Sequence, residues 1–176
     1  MSHEHTTAAR RLLTVSDTQL QQLAELLIDC VEGDASVGFM HPLSLEQALA
    51  FWRRVADGAA RGERVLLMVE DGQGIVGTVQ VVLAQPDNQP HRGDVSKMLV
   101  HRRARRQGLG AVLMRAAEAA AIAEGKTLLV LDTASDDARR LYTRLGWQHC
   151  GDVPGFALWP RGGPCATSFY YRELDV

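Results

Sequence analysis

The hydrophobic positions of the chain recur at helical spacing in four stretches. Ser16 or Asp17 is a suitable N-cap for the first helix and Ser44 for the second, because their oxygens accept backbone N–H groups. Gly33 and Gly146 are suitable stops for the first and the fourth helix. Helices are therefore predicted over residues 17–33, from 44 to about 60, over 108–124 and over 136–145.

Other hydrophobic segments are short and bounded by glycine, proline or aspartate, which is typical of strands. Strands are predicted over residues 10–15, 65–70, 75–83, 94–100, 127–133, 147–153 and 166–172. Residues 71–74 form the turn of a hairpin, and residues 154–165 form a loop rich in proline and glycine. The helix at 108–124 links two strands that should pair in parallel through a right-handed crossover.

The order of these elements predicts one mixed α/β domain over residues 10–176, with helices on both sides of a central sheet. Residues 1–9 are predicted to be a flexible tail. A length of 176 residues suits one domain with its own core.

Composition narrows the function classes. The chain is 46% hydrophobic and 23% charged with a net charge of -2, which argues against disorder and against binding of nucleic acid by the whole surface. Three scattered cysteines predict neither a disulfide framework nor a metal site. No signal peptide and no apolar run of ~20 residues is evident, so we expect a cytoplasmic protein without a membrane segment.

The segment from His101 to Gly110 carries the most chemical information. It places four arginines, at positions 102, 103, 105 and 106, before the N-terminus of the alanine-rich helix. Helix N-termini carry partial positive charge and usually attract acidic residues. Arginines at this point make sense if an anion binds there, and Gly108 and Gly110 would let backbone N–H groups approach phosphate oxygens.

Two common phosphate motifs do not fit this segment. A Walker loop needs Gly-Lys-Ser/Thr, which is missing, and a dinucleotide fingerprint needs a third glycine where Leu113 stands. The pattern that remains is Arg-x-x-Gly-x-Gly, formed by Arg105, Gly108 and Gly110. The alternative is a solvated run of charge followed by an ordinary helix start.

This pattern resembles the pyrophosphate loop of the GNAT N-acetyltransferases. The resemblance implies a central, mostly antiparallel twisted sheet of about seven strands, with a parallel pair at its centre and helices on both faces. It also implies acetyl-coenzyme A as cofactor, with the pantetheine arm held along the strand that ends at Val100. The cofactor-binding residues implied are Met98, Leu99, Val100, Arg105, Arg106, Gln107, Gly108, Leu109, Gly110, Ala111, Thr133, Ser135, Ala138 and Tyr142.

A second signature of the family matches Ser135, Ala138, Leu141-Tyr142 and Gly146-Trp147, with serine replacing the usual asparagine. The resemblance implies that Tyr142 protonates the departing thiolate. A phenol with a pKa near 10 can donate a proton to a thiolate whose conjugate acid has a pKa of roughly 8.5. Alternatively, Tyr142 is only a residue of an amphipathic helix.

Acyl transfer to an amine also needs a polarised carbonyl and a neutral amine. The resemblance assigns the first task to the backbone N–H of Met98. A carboxylate can remove the proton of the amine, and Asp94 and Asp132 are the two candidates at strand ends. Asp94 could instead belong to a turn, and Asp132 could cap the following helix in competition with Thr133 or Ser135.

Within the family, the chain is similar to the tabtoxin resistance acetyltransferases. Matching segments are residues 35–40, 95–100, 108–110, 131–133 and 154–155. The resemblance places loop 34–40 in one wall of the acceptor pocket; alternatively, the loop packs on the second helix as a surface turn. The substrate-binding residues implied are Ser36, Val37, Phe39, Met40, Asp94 and Asp132.

The sequence therefore predicts an acetyl-CoA-dependent N-acetyltransferase that acts on a small amine such as an amino-acid-like toxin, an antibiotic or a metabolite. Alternatives are a peptide or protein N-terminal acetyltransferase and a catalytically silent CoA-binding module. No metal or nucleic-acid partner is expected. The sequence leaves the oligomeric state open, with a homodimer as the candidate assembly.

Overall fold

The computed structural model describes residues 8–175, and within them the chain forms seven strands and four α-helices. Most of the predicted tail at residues 1–9 lies outside these described residues. The elements are β1 (Arg10–Arg11), α1 (Asp17–Glu32), α2 (Leu45–Ala60), β2 (Arg64–Asp71), β3 (Gly74–Val82), β4 (Arg92–Val100), α3 (Leu109–Ala123), β5 (Leu128–Thr133), α4 (Asp136–Arg144), β6 (Gln148–Leu158) and β7 (Pro164–Glu173). A 3-10 turn at Arg102–Ala104 precedes α3.

The seven strands form one sheet in the order β1-β2-β3-β4-β5-β7-β6. All neighbours are antiparallel except β4 and β5, which are parallel because α3 connects them as a crossover. The mixed α/β fold with a central parallel pair is thereby confirmed.

Each face of the sheet is covered by two helices. On one face α1 and α2 bury the fully enclosed side chains of Leu23 and Trp52 against β2 and β3. On the other face α3 and α4 enclose Leu113 and Leu129. Burying a side chain of this size contributes about 1.5–3 kcal/mol, so the two layers supply the main driving force for folding.

Close approach of α3 to the sheet depends on Gly77 in β3. A Cβ added there would lie 3.0 Å from Cδ1 of Leu113 and 3.5 Å from the carbonyl oxygen of Leu99, so a methyl group would crowd this α3 side chain. The alanine-rich sequence of α3 serves the same end, because small side chains let a helix lie close to a sheet. None of the helices within residues 8–175 is long and apolar enough to cross a membrane.

Two predicted boundaries are wrong. β1 covers only Arg10–Arg11 rather than residues 10–15, because the chain must turn after Leu12 to reach the N-cap of α1 at Ser16. The predicted loop over residues 154–165 is mostly strand, and only residues 159–163 connect β6 to β7. Pro154 and Gly155 are accommodated because β6 is an edge strand whose pairing with β7 shifts register at this point.

Candidate active site

β4 and β5 stop pairing after three residues, and the gap that this leaves between the two strands is called the cleft below. The parallel ladder joins Arg92 to Leu128, Gly93 to Leu129 and Asp94 to Val130, and then ends. β4 continues to Val100 in partnership with β3 alone. The remaining edge of β4 therefore presents backbone groups to the space beside the end of β5.

A β-bulge distorts β4 at the same place. Thr78 pairs with Leu99 and Gln80 with Ser96, so Val79 of β3 lies opposite two residues, Lys97 and Met98. Lys97 adopts a left-handed backbone conformation with φ of 52°. An extra residue of this kind bends the strand and re-aims its side chains.

The two bulge residues point to opposite faces of the sheet. The Lys97 ammonium lies 5.8 Å from the centre of the Phe51 ring on α2. The Met98 side chain lies on the other face, where its Cε is 3.8 Å from the position that a Cβ on Gly110 of α3 would take. One strand thus contributes to both helical layers at the mouth of the cleft.

The N-terminus of α3 borders this cleft and has no side-chain cap. Gly108 occupies the N-cap in a left-handed conformation, with φ of 78°, and the first turn contains no acidic residue. The first helical bond runs from the N–H of Val112 to the carbonyl of Gly108 at 3.2 Å. The N–H groups of Leu109, Gly110 and Ala111 therefore lack partners within the helix and are available to an anion.

The other three helices begin differently. Ser16 and Ser44 each accept the N–H of the third helical residue, at 3.2 and 3.1 Å, in a complete capping box. Ser135 accepts the N–H of Ala138 at 3.2 Å at the start of α4. An uncapped start is therefore a specific property of α3.

The four arginines before α3 do not act as one cluster. Arg102 binds the buried carboxylate of Asp29 on α1 through both its backbone N–H and its guanidinium. Arg103 pairs with Asp71 at 3.1 Å.

Arg105 donates to the carbonyl of Val100 at 3.2 Å. Arg106, in a left-handed conformation with φ of 61°, makes no ion pair or hydrogen bond with any residue from 8 to 175. Neither Arg105 nor Arg106 pairs with a carboxylate of residues 8–175, so these two guanidinium groups are the ones available to an external anion.

Gly110 is needed for packing as well as for the loop. A Cβ at this position would lie 2.8 Å from Cδ2 of Leu141, so a side chain there would force the end of Leu141 on α4 to move. The glycine is thus explained by the contact between the two helices. Gln107, also among the predicted cofactor-binding residues, donates to the carbonyl of Arg103 at 3.4 Å.

The hydroxyl groups of Thr133 and Ser135 serve the start of α4. Thr133 accepts the N–H of Ser135 at 3.1 Å, and Ser135 in turn caps the helix. Ala138 packs partly buried against the core. Because Ser135 is the cap, Asp132 is not required for that role.

Asp132 lies at the C-terminal end of β5, on the face that carries α1 and α2. Its Oδ2 accepts the hydroxyl of Thr167 on β7 at 2.7 Å, and Thr167 is buried. This bond fixes the orientation of the carboxylate at the mouth of the cleft.

Asp94 lies on the same face, since it is aligned with Val130, two positions before Asp132. Its two oxygens are bound by the guanidinium of Arg92 and by the side-chain amide of Gln85, the latter at 3.2 Å. Both carboxylates are thus near the parallel pair, as predicted, but Asp94 already has a donor on each oxygen.

Tyr142 of α4 is 5% exposed and packs its ring against Trp147 and Tyr170, with centroids 6.0 and 5.9 Å away. Burial raises the pKa of the Tyr142 hydroxyl, and the negative charge of Asp132 raises it further. The phenol therefore stays protonated at neutral pH, as a proton donor must.

Loop 34–40 packs against two different elements. Phe39 meets Phe51 of α2 edge to face, with centroids 5.3 Å apart, and Val37 joins the same hydrophobic layer. Ser36 contacts the thiol of Cys165 on β7 at 3.4 Å. Met40 is 49% exposed.

Three side chains near Asp132 and loop 34–40 were not predicted from the sequence to belong to the site: those of Lys97, Phe51 and Thr167. Burial lowers the pKa of the Lys97 ammonium, while the charge of Asp132 acts in the opposite direction. No local motif signals these residues, because the fold brings them together from three separate elements.

Known structures share this architecture. A ribosomal-protein-alanine N-acetyltransferase from Brucella melitensis superposes with a TM-score of 0.79 at 19% identity, covering 94% of this chain and 99% of that one. The yncA structure from Salmonella typhimurium, which holds its cofactor acetyl-CoA, gives 0.78 at 19% identity, covering 96% and 94%.

A phosphinothricin acetyltransferase from Sinorhizobium meliloti in complex with AcCoA gives a TM-score of 0.76 at 19% identity, covering 96% of this chain and 89% of that one. Identities this low establish a common fold only. The model of the acetyltransferase (GNAT) family, however, matches residues 20–147, which is well over half of the sequence. The chain therefore belongs to the acetyltransferase (GNAT) family, whose enzymes use acetyl-CoA as the acetyl donor.

Proposed function

We propose that the protein acetylates the amine of a small molecule, with Asp132 as the general base and Tyr142 as the general acid. The observation that carries this proposal is the cleft between β4 and β5, which has an uncapped helix start on one side and the oriented carboxylate of Asp132 on the other. A site of this form offers an anion-binding end and a proton-accepting end within one opening.

The anion-binding end fits the diphosphate of acetyl-CoA. The free N–H groups of Leu109, Gly110 and Ala111 and the unpaired guanidinium of Arg106 supply donors and positive charge for phosphate oxygens. The edge of β4 at Met98–Val100 has no strand partner on this side and would supply backbone groups for the amides of a pantetheine arm, with the Val100 carbonyl shared with Arg105. When bound, acetyl-CoA supplies an activated acetyl group as a thioester.

The reaction requires a neutral amine, and free alkyl amines are mostly protonated at neutral pH. Asp132 is the better placed base, because one of its oxygens has no hydrogen bond among residues 8–175, whereas Arg92 and Gln85 occupy both oxygens of Asp94. Asp132 would accept the proton directly or through one water.

The other proton is held by Tyr142, whose phenol is protonated at neutral pH and would donate as the thiolate develops; burial raises its pKa, so the developing negative charge on sulfur must drive the transfer. Met98 belongs to the bulge in β4, in the part of this strand that has left the ladder with β5, and its N–H is the proposed oxyanion donor. A backbone donor in such a position can stabilise negative charge on a carbonyl oxygen.

A small acceptor is favoured over an extended peptide because loop 34–40 is joined to the β6–β7 hairpin. Ser36 touches Cys165, and the N–H of His41 donates to the carbonyl of Pro160 at 2.8 Å. These contacts bridge one side of the acceptor end. The resemblance to the tabtoxin resistance acetyltransferases agrees with a small amine that carries an amino-acid framework.

The test combines binding with turnover. Acetyl-CoA should raise the melting temperature, and thiol release should follow on addition of some members of a panel of amino acids, amino antibiotics and short peptides. Stabilisation without thiol release across the whole panel would favour a silent CoA-binding module. Release with peptides but not with free amines would favour the peptide acetyltransferase.

A further inference from the structure

The two lysines of the chain are in very different environments. Lys126 is buried, and its ammonium donates to the carbonyls of Leu83 and Pro90 at 2.9 and 2.8 Å. Lys97 is half-buried, yet its ammonium forms no hydrogen bond or ion pair with any residue between 8 and 175. A charge with this degree of burial normally has a partner, because removing it from water is costly.

The immediate surroundings of Lys97 compensate its charge only in part. Its Nζ lies 5.8 Å from the centre of the Phe51 ring, a cation–π contact that stabilises by about 0.5–1 kcal/mol at partly exposed sites. On another side it lies 3.7 Å from the position that a Cβ on Gly38 would take, so loop 34–40 passes directly over it. Neither neighbour supplies an anion.

Lys97 also lies within electrostatic reach of the proposed base. The charge of Asp132 opposes the fall in the pKa of Lys97 that burial causes, but the two groups form no ion pair. The oxygen of Asp132 that has a partner is bound to Thr167. The acceptor end therefore presents an ammonium and a carboxylate that interact electrostatically without forming an ion pair, each with hydrogen-bonding capacity left over.

We propose that Lys97 binds a carboxylate of the acceptor, so that the substrates are small amino acids or close analogues whose amine faces Asp132. The inference rests on the proposed function and adds the substrate class to it. A molecule with an amine and an acid a few bonds apart matches the neighbouring carboxylate and ammonium in charge. Lys97 acts here as a specificity-determining residue.

A different role for the same residue gives a different pattern of kinetics. If neutral Lys97 were itself the base, its loss would slow the reaction with every amine to the same extent. If it binds a carboxylate, its loss should matter only for acceptors that carry one. Amino acids and their carboxamides therefore separate the two roles, provided that rates are compared at equal concentrations of neutral amine.

The experiment measures thiol release by the wild type and by K97M, K97R and R115M with amino acids and their carboxamides. Arg115 is exposed on α3 and serves as the matched control for loss of one positive charge. We expect the wild type to prefer the acid. K97M should lower kcat/KM for the acid roughly 10- to 100-fold, mainly through KM, and change that for the amide by less than about twofold. K97R should keep part of the preference, and R115M all of it.

A second readout does not depend on turnover. An amino acid should raise the melting temperature of the CoA-loaded wild type and of R115M, but not that of K97M. Equal losses for acid and amide, or a wild type that accepts both equally, would overturn the role of Lys97 while leaving the proposed function intact. Absence of thiol release with every amine would overturn the proposed function, and the inference with it.

Discussion

The two ends of the cleft, proposed to bind the cofactor and the acceptor, are formed by different kinds of chemical groups. The proposed cofactor end consists of backbone N–H groups at the start of α3, a strand edge and two arginines, Arg105 and Arg106, that pair with no carboxylate of the described residues. The acceptor end consists of side chains from four elements, among them Lys97, Asp132 and Thr167. Backbone groups can bind a diphosphate with little dependence on which neutral side chains surround them, whereas recognition of an acceptor depends on the identity of each side chain.

Changes at one end should therefore leave the other end intact, which is the property that mutations can test. Variants at the acceptor end should alter turnover and preserve acetyl-CoA affinity. Variants at the start of α3 should weaken acetyl-CoA binding and preserve turnover once acetyl-CoA is bound. Replacement of a serine cap at α1 or α2 should affect neither, since those helix starts are already closed by side chains.

The largest effect is expected from D132N. Removing the proposed base should lower kcat by about 10³-fold, within the usual range for general acid–base groups, with the dissociation constant of acetyl-CoA unchanged. Steady-state thiol release and titration calorimetry measure the two quantities. D94N is the matched control and should lower kcat far less than D132N does, because Arg92 and Gln85 already bind the carboxylate of Asp94. A larger loss in D94N would reverse the assignment of the base.

A smaller loss, about 100-fold in kcat, is expected from Y142F. The ring contacts with Trp147 and Tyr170 remain in this variant, so the melting temperature and acetyl-CoA affinity should stay close to those of the wild type. The loss reflects a hydroxyl that acts only as the thiolate develops. Wild-type turnover in Y142F would remove Tyr142 from the mechanism.

At the cofactor end, A111E should weaken acetyl-CoA binding by at least about tenfold, because a carboxylate in the first turn of α3 repels a diphosphate. The same change should not lower the melting temperature of the free protein, since acidic residues stabilise helix N-termini. A111Q controls for size without charge. Calorimetry and thermal unfolding of both variants provide the measurements, and equal acetyl-CoA affinity in A111E and A111Q would contradict an anion site here.

The smallest effect is expected from S16A and S44A. Each removes a cap and should lower the free energy of unfolding by about 1 kcal/mol, which denaturant titration can detect. Acetyl-CoA affinity should be unchanged in both. A clear loss of affinity in either variant would show that the start of α3 is not energetically separate from the other helix starts.

The proposed cofactor end has sequence signals that are local, so its place in the fold could be predicted. Arg105, Gly108 and Gly110 lie within six consecutive residues between a strand and a helix, and both the crossover and the parallel pair follow from that order. Ser16 and Ser44 were likewise recognisable as helix starts, since a cap acts on residues only a few positions away.

The acceptor end could not be predicted to the same degree. Thr167 lies 35 positions from the carboxylate that it orients, and no pattern links the two. The direction of the Lys97 side chain depends on a bulge in β4, and the position of this bulge is set by the pairing between β3 and β4. The predicted loop at residues 154–165 was wrong because proline and glycine also occur in edge strands, and a sequence does not reveal which strand lies at the edge.

The bulge in β4 has a consequence for how this strand can change during evolution. Ser96 and Leu99 share one face of the sheet only because β4 has one extra residue here, so that Lys97 and Met98 together lie opposite Val79. Side chains alternate along a strand, so loss of a single codon here would exchange inside for outside at every later position of β4. This strand should therefore tolerate substitutions far more readily than insertions or deletions. A homologue whose β4 is one residue longer or shorter should no longer place a lysine beside loop 34–40 at the position of Lys97.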